Sequence, residues 1–403
     1  MKNMNDNNYL IVKNGTVITP SNEIKDGIVL VQNGKILEVG KRESIKEPEQ
    51  VNIIDANSGY ISPGMIDIHV NGAMGADVTK VAPDTFSVMG KFFVKHGTTS
   101  YLGTAITSAD ADFIKVLENA REIMNGGELG GAELLGIHME GPYLSPEQSG
   151  AHPKSFLKLP TRENYSQFIK YSDVLKKMTL APELEGAAEL VRDLTANGII
   201  AAAGHTDGIY REIKEAVDAG ITHGTHFFCN MSNFRRDNLK RVAGVTETLL
   251  YDDRVSGELI GDGWHLGPQL MNLLVKIKGI DKVCFVTDAM PAVGLPPGLH
   301  KIGDVEALVE NGIARLPDNT AYAGSVTTMD ICVKNGINQM GLSISDSLRM
   351  ATLTPAKIVG VDDRKGSLEN GKDADIVIFD KNLDVIKTIV SGKIVFDNNL
   401  QLN

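Results

Sequence analysis

The 403-residue chain is short of several things, and each shortage excludes a class of protein. It has three cysteines, Cys229, Cys284 and Cys332, and no CxxC pair. An odd count without a paired motif argues against a disulfide framework and for a reduced compartment, so a cytoplasmic location is expected. No apolar run approaches the roughly 18 residues of a membrane span. The N-terminal "MKNMNDNNYLIVKNG" lacks the apolar stretch of a signal peptide. Positive charge is also scarce, 40 Lys and Arg against 51 Asp and Glu, for a net charge of -11. No basic stripe is available to neutralise a nucleic-acid backbone. A small anionic substrate, which needs only a few local donors, stays compatible with this balance.

What is present reads as a globular protein. Hydrophobic residues are 42% and charged residues 23% of the chain, an ordinary proportion. The length suggests one large domain with an accessory one. The first 60 or so residues alternate apolar and polar, with Asn-Gly and Gly turns, as in "DGIVLVQNGKILEVG". The end of the chain repeats this grammar in "GSLENGKDADIVIFDKNLDVIKTIVSGKIVFDN". Residues 1–62 and 355–403 are therefore expected to form one small β-sandwich from both termini.

Residues 63–354 alternate short apolar runs with helical stretches. Eight runs read as buried parallel strands: "GMIDIHV", "TTSYLGT", "LLGIHME", "KMTLAPE", "GIIAAAGHT", "THGTHFF", "VSGELIGDG" and "KVCFVTDA". Eight β-then-α units over about 290 residues predict a (β/α)8 TIM-like barrel. An open doubly wound sheet is the competing arrangement.

Active sites of such barrels lie at the C-terminal ends of the strands. His69, Glu140, Glu183, His205, His226, His265 and Asp288 all fall at or just after the ends of different runs. A single histidine there is most often structural, and an acid is often a helix cap. The constellation outweighs those readings. Glu140, His205 and His226 offer a carboxylate and two imidazoles with an open position, as in catalytic zinc sites. A metal there lowers the pKa of bound water to about 7. Asp288 suits the shuttling of the water's proton to a leaving nitrogen. His265 suits the developing oxyanion or the substrate.

The other histidines carry weaker signals. His138 shares a face with Glu140 two residues on and is expected deeper in the barrel. His223 is expected at the start of its strand, His96 at a helix end, and His300 at the surface. In "HMEGPYLSPEQSGAHP" the Gly-Pro turns the chain sharply, and the loop carries Gly150, Ala151 and His152 toward the barrel mouth.

These segments resemble the N-acetylglucosamine-6-phosphate deacetylases of the amidohydrolase superfamily, nearly end to end. The carriers are "SPGMIDIHVNG", "GTTSYLGT", "GIHMEGPYLSPEQSGAHP", "GHTDGIY", "GTHFFCNM", "DGWHL", "VTDAM", "YAGS" and "TLTPAKIVG". The resemblance implies removal of acetate from the 2-acetamido nitrogen of an amino-sugar phosphate. It implies metal on Glu140, His205 and His226, with Asp288 as general acid and base. It places Ala151, His152, His265, Tyr322, Ala323 and Gly324 around the substrate. It also implies a homodimer with the phosphate pocket near the subunit interface.

The chain departs from that pattern in places. "THFFCNM" puts Cys229 where the family has Asn and Asn230 where it has Ala. The family's phosphate-gripping arginine maps onto Arg236, or onto Arg235, in "SNFRRDNLKRVAG", without the Glu-Pro-Gly that follows it. Paired arginines suit an anion bidentately. In "DIHVNG" the family's variable His-x-His has become His69 and Asn71. One essential ion is expected, Zn²⁺ or else Fe²⁺. His69 is then a partial ligand of a second site or a supporting residue.

Other activities fit less well. A deacetylase of another amino sugar, such as N-acetylgalactosamine 6-phosphate, or a further amide hydrolase remains an alternative. A cyclic-amide hydrolase would want a lysine ending the fourth strand, where this chain has Glu183. A barrel that only binds would have lost ligands that are all present.

Overall fold

The computed structural model describes residues 9–126 and 129–398. Eight parallel strands form the centre: β1 Met65–Val70, β2 Thr98–Ile106, β3 Glu133–Glu140, β4 Leu175–Leu180, β5 Ile200–Ala203, β6 His223–Gly224, β7 Ser256–Ile260 and β8 Val283–Val286. Each pairs with the next in chain order. The ends then meet. The Asp288 N–H donates to the His69 carbonyl at 2.9 Å, and the Asn71 N–H to Ala289 at 2.8 Å. That closure makes a (β/α)8 barrel and leaves no open sheet edge.

The strand sequences follow from their surroundings. β1, β2 and β8 are buried at every position, because helices cover one face and the barrel interior the other. The covering helices are amphipathic at a 3.6-residue period. Asp110–Gly126 buries Phe113, Val116, Leu117 and Ala120. Ala187–Ala196 buries Ala187, Leu190, Val191 and Leu194.

The barrel interior is polar in its upper half. Thr104, His138, Lys177, Thr179, His223, Thr225 and Glu258 are all buried there. Lys177 is the third residue of β4 and points into this interior; it does not merely begin the strand, as the sequence suggested. The strand starts earlier, at Leu175, which pairs with Ile137 of β3.

The two chain ends share one eight-stranded sheet. Its order is Lys393–Asp397, Val385–Val390, Ile376–Phe379, Tyr60–Pro63, Tyr9–Ile18, Glu23–Gln32 and Lys35–Lys41, with Asn52–Asp55 also on Tyr9–Ile18. The seam is antiparallel, with Ile61 opposite Ile378. A bridge between Lys35 and Asp373 brings the far edge back toward the C-terminal half. Val12, Val29, Ile36, Ile61, Ile376 and Ile389 share one core inside it.

This sheet docks at the bottom of the barrel, away from the strand ends that carry the polar cluster. Gly64, just before β1, donates its N–H to Asp375 at 2.9 Å. At the start of β3, Glu133 meets Arg364 at 2.6 Å and Lys365 at 2.7 Å. Lys365 is buried and also meets Asp375 at 2.5 Å. Lys365→Met would leave the buried Asp375 without its cation, a loss of about 3–5 kcal/mol. Urea titration should show that destabilisation, while the kcat of the surviving folded fraction stays at the wild-type value.

Candidate active site

Three side chains converge at the C-terminal mouth. Glu140 closes β3, His205 follows β5 by two residues and His226 follows β6 by two. A carboxylate oxygen and two ring nitrogens from these residues lie within 4.8 Å of one another, and all three residues are buried. Glu140 Oε1 is 3.1 Å from His205 Nε2 and 3.0 Å from His226 Nε2, and the two Nε2 atoms are 3.1 Å apart.

The backbone explains how they meet. His205, His226 and Asp288 have φ of 50°, 28° and 48°. This left-handed region is unfavourable for side chains with a Cβ and recurs at functional sites. Each residue leaves its strand and turns inward at once. Gly141, after Glu140, has φ 92°, and a Cβ there would lie 2.1 Å from Thr107 Oγ1. Only glycine lets β3 end so close to its neighbour.

The protonation pattern fits a cation. His205 Nδ1 faces the Gln148 carbonyl at 2.8 Å. A carbonyl only accepts, so Nδ1 carries the hydrogen and Nε2 presents its lone pair to the centre. Burial, helped by the neighbouring His152, pushes the His205 pKa down to about 4, so the ring is neutral and ready to ligate. Burial opposes the charge on Glu140, and His69, His152, His205 and His226 outweigh it, holding the carboxyl well below the usual range. An imidazole lone pair therefore faces a carboxylate oxygen at hydrogen-bond distance, an arrangement a divalent ion would satisfy.

Asp288 stands beside the cluster, 3.4 Å from His69 Nε2, and its Oδ1 accepts from Asn71 Nδ2 at 2.8 Å. Asn71 is thus a hydrogen-bonding group that orients the aspartate. His69 is fully buried beneath the centre. Its Nε2 is 3.4 Å from Glu140 Oε2, and its Nδ1 is 2.8 Å from Glu258. It lies outside the three-residue cluster.

A cavity of about 310 Å³ opens over these groups. Its walls include eight residues singled out from the sequence as substrate contacts: Ala151, His152, Cys229, Asn230, His265, Tyr322, Ala323 and Gly324. Thr107 donates its N–H to His152 Nδ1 at 3.2 Å, leaving the ring's other nitrogen 3.5 Å from Glu140. His265 is held by Asp262 at 2.7 Å and packs on the Tyr322 ring at 4.4 Å. Gly324 has φ 69°, and a Cβ there would come within 2.7 Å of the Asp288 carbonyl. Burial, reinforced by Asp288 and Asp262, pushes the Cys229 thiol up to about 12. It remains a thiol at neutral pH and is no nucleophile.

Arg236 is not part of this wall. It sits on an exposed hairpin, Arg235–Asp237 with Lys240–Val242, and faces Arg241 across it. Its neighbour Arg235 is engaged by Asp207 at 2.7 Å. Glu183 also lies outside the cavity, where it braces the loop after β5 through Thr206 at 2.5 Å and the Asp207 N–H at 2.7 Å. The sequence reading missed Asp262, Lys177 and Glu258. Asp262 lay three residues before His265, and the other two were charges inside runs read as buried strands.

A closed parallel barrel with a carboxylate and two imidazoles converging at its mouth, beside an aspartate, defines a barrel hydrolase of the kind built around a divalent metal. The chain belongs to the amidohydrolase family, whose model matches residues 60–395, and it is a hydrolase of carbon–nitrogen bonds. It is 37% identical over 390 residues to an N-acetylglucosamine-6-phosphate deacetylase of Bacillus subtilis, covering 96% of this chain and 97% of that one. Among solved structures it is similar to the N-acetylglucosamine-6-phosphate deacetylase of Pasteurella multocida, with a TM-score of 0.90, 30% identity and coverage of 96% and 99%. It is also similar to a mutant Mycobacterium smegmatis N-acetyl-D-glucosamine-6-phosphate deacetylase in complex with N-acetyl-D-glucosamine-6-phosphate. There the TM-score is 0.87, the identity 28% and the coverage 96% and 99%.

Removing one member of the cluster should reduce metal binding. His205→Ala is expected to raise the Zn²⁺ dissociation constant at least about tenfold, measured by chelator competition. His265→Ala should leave it unchanged.

Proposed function

We propose that the protein hydrolyses the acetamide of N-acetyl-D-glucosamine 6-phosphate to D-glucosamine 6-phosphate and acetate. One observation carries the reading: a cavity of hexose-phosphate size has Asp288 and the Glu140–His205–His226 cluster on its floor. The activity of the relatives agrees with it. The barrel, residues 63–354, carries the chemistry, and the terminal segments 1–62 and 355–403 support it.

Glu140, His205 and His226 would hold one divalent ion, Zn²⁺ by ligand type, with Fe²⁺ as the other candidate. A bound ion supplies Lewis acidity toward the amide carbonyl and an activated water. Asp288 would accept the proton of that water as the new C–O bond forms, and return it to the amine nitrogen as the C–N bond then breaks. Asn71 keeps one Asp288 oxygen occupied, which leaves the other for the proton. His265, oriented by Asp262, would donate to the oxygen that gains charge. His152 and the segment Tyr322–Gly324 would fix the sugar. His69 would support the floor of the site.

The phosphate end is assigned to Arg236. Its guanidinium is exposed and holds no carboxylate among the described residues. The same hairpin exposes Leu239 at 88% and Phe234 precedes it at 61%. Such an apolar tip beside a basic strip suits a subunit contact, so a homodimer is proposed. No helix among the described residues is long and apolar enough to cross a membrane. A cytoplasmic location fits the unpaired cysteines.

The test is acetate release from N-acetylglucosamine 6-phosphate, its galactosamine epimer and unphosphorylated N-acetylglucosamine. Turnover is expected on the first and weak turnover on the last; absence of turnover on all three sinks the reading. Asp288→Asn should lower kcat by about 10²–10⁴-fold with metal content retained. Unimpaired kcat in that variant would remove Asp288 from the mechanism.

A further inference from the structure

Below the cluster lies a second layer of charge that the chemistry does not use directly. Glu258, on β7, is fully buried. It accepts from the Lys177 ammonium of β4. Lys177 also donates to the Ile68 carbonyl of β1 at 3.0 Å. The same Oε1 is 3.1 Å from His223 Nε2, whose Nδ1 is 2.8 Å from Ser256 Oγ. Oε2 has different work. It accepts the backbone N–H of His226 at 3.1 Å and faces His69 Nδ1 at 2.8 Å. One carboxylate thus joins four strands across the barrel.

The contact with His226 is the informative one. β6 ends at Gly224, so the His226 N–H has left the strand ladder. The Glu258 side chain takes that N–H, and the Glu258 carbonyl takes the next one, from Phe227, at 2.9 Å. Between these two anchors His226 is held at φ 28°. The His69 ring, held by the same oxygen, lies against the His226 ring with centroids 5.5 Å apart.

We propose that Glu258 is a positioning residue for the metal centre. Its carboxylate, neutralised by Lys177, fixes the His226 backbone and the His69 ring, and so sets the affinity of the Glu140–His205–His226 cluster for a divalent ion. This rests on the metal reading above. Lys177 is the counter-ion that keeps an anion buried beneath an anionic site, since an unpaired carboxylate there would be prohibitively costly. A purely structural ion pair would behave differently. Replacing both members of such a pair by apolar residues is often tolerated, and it would leave metal affinity untouched.

The experiment uses the full chain and two double variants. K177M/E258Q removes both charges but keeps an oxygen that can accept from the His226 N–H and from His69. K177M/E258L removes the acceptor as well. Zn²⁺ dissociation constants come from chelator competition, the visible spectrum of the Co²⁺-loaded protein reports ligand geometry, and thermal melts of the metal-free proteins report folding. The glutamine pair is expected near wild-type affinity. The leucine pair should bind about 10–100-fold more weakly, with an altered Co²⁺ spectrum and a metal-free melt like that of the glutamine pair. A leucine pair that folds and binds Zn²⁺ as the wild type does overturns the inference. Should the leucine pair fail to fold, E258D decides, because it keeps the charge near Lys177 but withdraws the oxygens by one methylene. Weakened binding there supports the inference and wild-type binding overturns it. A wild-type chain with no affinity for any divalent ion would overturn the metal reading, and this inference with it.

Discussion

The barrel mouth depends on one buried charge being matched from several sides. Glu140 is nearly inaccessible, and burial alone would favour its neutral form. It is kept ionised by four imidazoles that arrive from β1, β5, β6 and the loop after β3. No single strand could supply them. The closed barrel can, because it brings eight strand ends to one rim. The closure between β1 and β8 matters most, since it places His69, Asn71 and Asp288 side by side from opposite ends of the barrel sequence.

The same rim explains where the backbone is unusual. Three residues of the centre adopt positive φ just past a strand end. A strand residue in extended conformation alternates between interior and helix layer. Glu140 reaches the centre as the last residue of β3, but a residue past a strand end reaches it only by turning out of that alternation. The left-handed turn solves that geometry at a local cost of about 1–3 kcal/mol per residue. Hydrogen bonds from neighbouring strands absorb it: the Asp288 N–H goes to His69, and the His226 N–H goes to Glu258. The catalytic arrangement and the barrel's integrity are therefore held by the same few contacts.

Much of this was legible in the sequence for a physical reason. Parallel strands covered on both faces read as near-continuous apolar runs, so "KVCFVTDA" stood out, and the polar residue ending each run then marked the rim. Both termini spoke the grammar of hairpins, and they share one sheet. The layer below the rim was hidden. Lys177 and Glu258 look like interruptions of apolar strands when read singly, and their pairing needs the 81-residue separation to be closed by the fold. Asp262 was hidden differently. Three residues before His265, it reads as a turn acid until the loop geometry brings its carboxylate to the imidazole.

The two ends of the proposed substrate are served by different kinds of structure, and this bears on the residues that depart from the family pattern. In the proposed pose the acetamide end would face groups fixed by strand termini, where a displacement would break the barrel ladder. The phosphate end would face loops, which tolerate change. Cys229 and Asn230 line the cavity wall. Asn230 keeps φ 49°, a conformation asparagine tolerates well, and its carbonyl accepts from the Thr206 N–H at 3.1 Å. Asn230 therefore fits the path the chain takes past the cavity, whose wall it shares with Cys229. Beyond them, Asp207 engages Arg235 and fixes the base of the hairpin. That engagement uses Arg235 as an anchor and leaves its neighbour's guanidinium unspent. Of the two adjacent arginines, Arg236 is thus the one without a carboxylate partner among the described residues.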